Sequence, residues 1–346
     1  MKQTRHNQIY SRAGLQGGLS LIELMISITI GLLILAALST LFINQSKSRV
    51  ELDKSNRMID NGRYALELFS NNLRLAGFYD NFAPIGTPTT LYNPCTTDNT
   101  DSAINMNVLN LHVQGYNAAT SSSNVSSPPC GLTYTAGSNL TLQPGSDILT
   151  VRRASTTAKT PAAAAAAGGT YLQVSMCQTD AATPPNNYQI VSATAVVASS
   201  ASMHNKNCTT VADLREFKVT TYFVSPDNVV GDGIPTLKSI DQYGTVSPLV
   251  EGIEYMQIDY GVDTDGDGAA DNYTDCSACT VANWASVMSV RINIVARNQE
   301  TTTGWTDSKT YDLGLAGTVT PGGAYKRHAY TQMVRLNNPA GRREVP

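Results

Sequence analysis

Charge is scarce in this chain of 346 residues. Asp, Glu, Lys and Arg make up 15% of it, and neither sign dominates: Lys and Arg number 24, Asp and Glu 27, for a net charge of −3. Removing residues 1–18 takes Lys2, Arg5 and Arg12 and no acid, which moves the balance to −6. Nucleic acid is held by concentrated positive charge, so it is not an expected partner. A small basic cluster near the C-terminus, Lys326, Arg327, Arg335, Arg342 and Arg343, reads as solvated charged surface. Histidine is also sparse. His6, His112, His204 and His328 stand far apart, none at a metal-ligand spacing. The chain has no G-x-S-x-G, no H-E-x-x-H and no Gly-rich phosphate loop ending in Lys. These absences remove the recognisable hydrolase, zinc-protease and nucleotide-binding motifs and leave no catalytic case.

Proline is missing from residues 19–76, where only Gly31 and Gly62 interrupt a helical composition. One long helix is the expectation. Residues 19–43 carry a single charge, Glu23. A helix of that length rises about 37 Å, enough to span a bilayer with some tilt. Positive charge before it and a large domain after it give an N-in, C-out orientation in the inner membrane. Beyond Ile43 the helix turns amphipathic. Met58, Ala65, Phe69, Leu73 and Ala76 recur at helical spacing, a core stripe for packing on a sheet, and Gly77 is a natural stop.

Three readings of the apolar run compete: a secretory signal cut near Ala37-Leu38-Ser39, a plain anchor, and a leader cut before a run that is then retained. Glu23 separates them. A carboxylate in an apolar span costs about 2.5–3.5 kcal/mol at its centre, and an anchor or signal has no use for one. A cut after Gly18 supplies a new α-amine close to that acid.

Gly18-Leu19-Ser20-Leu21-Ile22-Glu23 resembles the prepilin cleavage motif of type IV pilins and type II secretion pseudopilins, with Leu19 where Phe is usual. The resemblance implies a prepilin peptidase that cuts after Gly18 and methylates Leu19. It also implies that Glu23 pairs with a neighbouring subunit's N-terminus during assembly. Later blocks narrow the likeness. Gly62-Arg63-Tyr64-Ala65-Leu66, Asn72–Phe78, Gly252-Ile253-Glu254, Tyr260–Gly268, Trp284 and Ser289–Ile292 are similar to the PilW family of minor pilins. By that resemblance the chain primes or caps a pilus with other minor pilins, the major pilin and a tip adhesin-like protein. It would then support pilus assembly, twitching motility and adhesion at the cell surface. A minor pseudopilin of type II secretion is the nearest rival, and a membrane-tethered adhesin or enzyme is a rival of another class.

The expected domains are a leader at 1–18, an assembly helix at 19–43, its amphipathic continuation at 44–76, and a β-rich head at 77–346. Residues 77–146 read as loops with short strands, and 154–170 as a surface loop or short helix. Strands are expected at Phe217–Val224, Glu254–Val262, Val287–Arg297 and His328–Leu336. In the third, Val290, Ile292, Ile294 and Ala296 face one way and Arg291, Asn293, Val295 and Arg297 the other. The fold class is α+β, a long helix laid on an antiparallel sheet.

Two constellations remain. Asp263, Asp265, Asp267 and Asp271 occupy positions 1, 3, 5 and 9 of a loop with Gly266 at position 6. Acids at those positions match the first half of a calcium loop. Position 12 is Thr274 rather than Glu, so a standard EF-hand is excluded, and Asp275 or an outside group is left to complete a shell. The alternative is a solvated Asp-Gly turn joining two strands. The six cysteines, an even count in an exported chain, point to disulfides. Cys276-Ser277-Ala278-Cys279 reads as a short structural bridge, since no second pair or nearby His completes a zinc shell. For the other four, Cys95–Cys130 and Cys177–Cys208 are the simplest local choices among three pairings.

Overall fold

The computed structural model describes residues 18, 20–84, 86–95, 108–180, 187–192 and 203–344. It has one compact unit through Asp53 and a second from Lys54 onward. Helix α1 runs Leu21–Leu73. Its first turn is closed by a capping box: Ser20 N–H donates to Glu23 Oε2 at 2.9 Å and Glu23 N–H to Ser20 Oγ at 3.2 Å.

In the second unit, α1 buries Met58, Gly62, Ala65, Phe69 and Leu73. That is the stripe expected from the spacing. Phe69 meets Tyr222 edge-on with ring centroids 4.9 Å apart. Fully buried, Phe69 and Leu73 each contribute about 1.5–3 kcal/mol. Gly62 has a steric role: a Cβ there would run into the Tyr330 ring. The helix gives way to a turn after Leu73. Gly77, at φ +69°, then sends its N–H to the Arg152 carbonyl at 2.9 Å.

The head holds two antiparallel sheets under one shared core. The larger contains β1 (Val113–Tyr116), β2 (Ile148–Lys159), β3 (Thr170–Val174), β4 (Tyr188–Ser192), β5 (Leu214–Ser225), β6 (Thr236–Asp241) and β7 (Val246–Glu251). Strand β5 pairs β2 on one side and β3 and β6 on the other. The smaller sheet has the order β13-β10-β8-β9, with β8 at Ile253–Val262, β9 at Asn272–Thr274, β10 at Val287–Arg297 and β13 at Arg327–Arg335. Asp147 joins the two sheets, accepting from Ala118 N–H and Ile258 N–H at 2.8 Å each. Short helices α2 (Pro161–Ala167), α3 (Val281–Ala285) and α4 (Asn337–Arg343), a hairpin of β11 (Tyr311–Asp312) and β12 (Thr318–Val319), and a 3-10 turn at Gly314–Ala316 inside that hairpin complete the described elements.

The four expected strands lie within β5, β8, β10 and β13 to within one residue. One expectation changes. Residues 154–159 continue β2, and α2 follows with Thr160 Oγ1 accepting from Ala163 N–H at 3.3 Å. The run of small residues hid the strand because it offers no apolar alternation. The second face of β10 is covered as well. Val295 packs with Tyr311, Leu313 and Val319 from the segment between β10 and β13, and Asn293 is buried too.

Candidate functional site

Glu23 is held at the start of α1 by its own local sequence, through the Ser20 capping box. Gly18 and Ser20 are described and exposed; Leu19 and residues 1–17 lie outside the described residues. The apolar side chains that follow are open, with Leu21 77% and Phe42 73% exposed. Ser27, Thr29, Ser39 and Thr40 each donate their hydroxyl to a carbonyl three or four residues back, at 2.7–2.8 Å. The segment therefore presents hydrocarbon with its hydroxyls satisfied, as an apolar surrounding requires. This helix is long and apolar enough to cross a membrane.

The acidic loop joins β8 to β9. Asp263 is its buried anchor: Oδ1 accepts from Gly266 N–H at 2.6 Å and Oδ2 from Gly268 N–H at 3.0 Å. Asp265 and Asp267 are exposed, and oxygens from Asp263, Asp265 and Asp267 lie within 4.8 Å of one another. Asp271 is turned to another task, taking Thr264 N–H at 2.7 Å and Thr264 Oγ1 at 2.6 Å. Those two bonds hold its carboxyl below the usual range.

Sequence reasoning missed a cation here. Arg343 of α4 reaches Asp263 Oδ2 at 2.9 Å. Burial pushes the Asp263 carboxyl up, but Arg343 and the Gly266 and Gly268 amides outweigh it and hold it low. Arg343 lies 80 positions along the chain, so no local motif reveals it.

The bridges Cys95–Cys130, Cys177–Cys208 and Cys276–Cys279 are all formed. The third sits between β9 and α3, whose Trp284 meets Tyr260 edge-on at 4.9 Å.

The C-terminal basic cluster is solvated only in part: Arg335 and Arg342 are exposed, as composition suggests, and Arg327 is not. Arg327 is buried and bonds Glu254 through Nε at 2.5 Å and Nη2 at 3.1 Å, and Asp307 through Nη1 at 2.9 Å. Arg342 donates to the Gly77 carbonyl at 2.9 Å, and Arg335 pairs with Glu344. Arg327 and Arg342 fasten the chain's end to the head, where Glu254, Asp307 and the Gly77 carbonyl receive them.

The Gly252-Ile253-Glu254 block has a matching role. Gly252, at φ +80°, donates its N–H to the Pro235 carbonyl and accepts from Arg297 N–H, and a Cβ on it would stand 2.7 Å from the Arg297 oxygen. Asp259 is similarly clamped by Arg291 at 2.7 Å and Asn293 at 3.0 Å.

No curated protein and no solved structure matches the chain. A family match falls on the segment built from β5 to α4, which holds the acidic loop, Trp284 and the Arg327 cluster. Residues 221–338 match the PilW family, type IV pilus-assembly protein W.

Proposed function

We propose that the chain is a minor pilin of a type IV pilus. A prepilin peptidase cuts after Gly18 and methylates Leu19. Residues 19–43 then hold the protein in the inner membrane, N-terminus inside and head outside. From there it enters the fibre with other minor pilins, the major pilin and a tip adhesin-like protein. Its role is to prime or cap the pilus and so to support assembly, twitching motility and adhesion. The observation that carries this reading is one chain with both a PilW match at 221–338 and an open apolar helix bearing a lone acid in its first turn. Burial of that acid among like helices is penalised unless a partner charge meets it, which fixes the register of assembly. Pulldown of the membrane-extracted protein should enrich other minor pilins by mass. Enrichment of secretion pseudopilins instead would move the chain to that system.

A second element of the reading is calcium in the acidic loop. Hard carboxylate oxygens on a flexible turn favour it over zinc or magnesium. Asp263, Asp265 and Asp267 converge; Asp271 would have to leave Thr264 to join them. Arg343 already neutralises part of the loop, so the gain from an ion is modest. For a site of extracellular strength, ten-millimolar calcium should stabilise by about 1.5–3 kcal/mol. The detergent-solubilised protein should melt a few degrees higher in calcium than in chelator, and Asp265→Ala should abolish the difference. Equal melting in both would leave a solvated turn.

A further inference from the structure

We propose that the free edge of β13 is a docking site for an extended strand of another pilus subunit, one with acidic side chains at alternate positions. The partner's identity rests on the pilus reading; the docking itself rests on four features of the head.

The first is the edge. β13 is 9 residues long and pairs with β10 from Ser289↔Arg335 to Arg297↔Arg327 without a register break. On its other side, from His328 to Val334, the backbone has no partner among the described residues. Such a row of unpaired N–H and C=O groups is a template for another strand.

The second is the contrast with the other edges. β7 is blunted by Pro248 and by a register break opposite Leu237 and Lys238. β1, β4 and β9 have only 4, 5 and 3 residues. Proline, bulges and shortness are the usual guards against stray pairing, and β13 has none of them.

The third is a groove beside the same edge, about 440 Å³, between Gln332 and the helix residues Arg63, Leu66, Glu67, Ser70 and Arg74. A strand added to β13 projects every second side chain to that side. Main-chain bonds would supply affinity and the groove would select side chains.

The fourth is charge, which decides between partners. The groove holds Arg63 and Arg74 against Glu67 alone. A second copy laid antiparallel in full register would bring two arginine-lined grooves together. An acidic strand from a different subunit meets opposite charge instead.

The test uses the full chain with Thr331→Cys, in cells assembling pili, labelled with a maleimide–benzophenone and irradiated, so that the ketone inserts into a C–H bond of whatever backbone lies against position 331. The native cysteines Cys95, Cys130, Cys177, Cys208, Cys276 and Cys279 are all bridged, so the introduced thiol is the reactive one. The expected adduct joins position 331 to an extended segment of another subunit. Gln332→Pro and Met333→Pro are then added separately. Neighbouring N–H groups point to opposite sides of a strand, so one proline removes an outward donor and the other an inward one. The outward variant should melt like the parent yet lose the adduct about tenfold. An adduct only with a second copy, an adduct to a helix or loop, or no adduct in a chain that starts at Leu19 and enters pili, would overturn the docking site. A strand adduct in a chain that does not start at Leu19 would support the docking and overturn the pilus reading.

Discussion

Replacing Arg327 by Met should lower the stability of the folded chain by about 3–5 kcal/mol. The substitution keeps most of the side-chain volume and removes the charge. Asp307 would then lie buried in the head without its cation, while Glu254 would keep only Arg297 at 3.9 Å, and a stranded buried charge costs more than the pair ever contributed. Asp307 has more to lose. Its side chain is fully enclosed, and its remaining side-chain partner is the Tyr311 hydroxyl at 3.0 Å. Because Arg327 opens β13 and Glu254 belongs to β8, the damage should spread to β10, which lies between them. Chemical denaturation of the detergent-solubilised protein would measure the effect. A loss below about 1 kcal/mol, the range of exposed ion pairs, would mean that the cluster is solvated after all. The double variant Arg327→Met with Asp307→Asn should recover part of the loss, since it removes the orphaned charge.

Glu23→Ala should reduce incorporation into surface fibres about a hundredfold while leaving the chain in the membrane. A loss of that order follows from breaking a buried charge pair, when the neighbour's α-amine is left alone in an apolar bundle. Glu23→Gln tests the charge apart from the cap. Gln retains an oxygen for the Ser20 N–H and so preserves the capping box. If charge is the active feature, both variants fail to the same extent. If capping is, Gln assembles normally. The ratio of the chain in sheared fibres to the chain in membranes gives the answer directly.

The parts of this molecule that are legible in sequence are those whose signal is local. The α1 stripe repeats every three or four residues, and β8 and β10 carry dense β-branched and aromatic residues, so both stand out. The three bridges close short separations of 35, 31 and 3 residues, which is why the local pairing is the one formed. What stayed hidden depends on distance along the chain. β2 puts Arg152 in the core, 1% exposed, because the Leu111 carbonyl at 2.9 Å and Gln114 at 2.7 Å receive its guanidinium. A charged residue in the middle of a strand argues against burial until its acceptors are known. Arg327 misleads in the same way. Its acids lie 73 and 20 positions away, so composition alone places it on the surface. The acidic loop is half legible: its Asp spacing is evident, while Arg343, which changes its electrostatics, arrives from the last helix.

The assembly reading depends most on where the mature chain begins. Mass analysis of the N-terminus of protein recovered from membranes or fibres decides it. The mature chain should start at Leu19, N-methylated, with Glu23 four residues on and the whole apolar run retained. A start near residue 40 would show the run to be a removed signal, and the pilin account would fail.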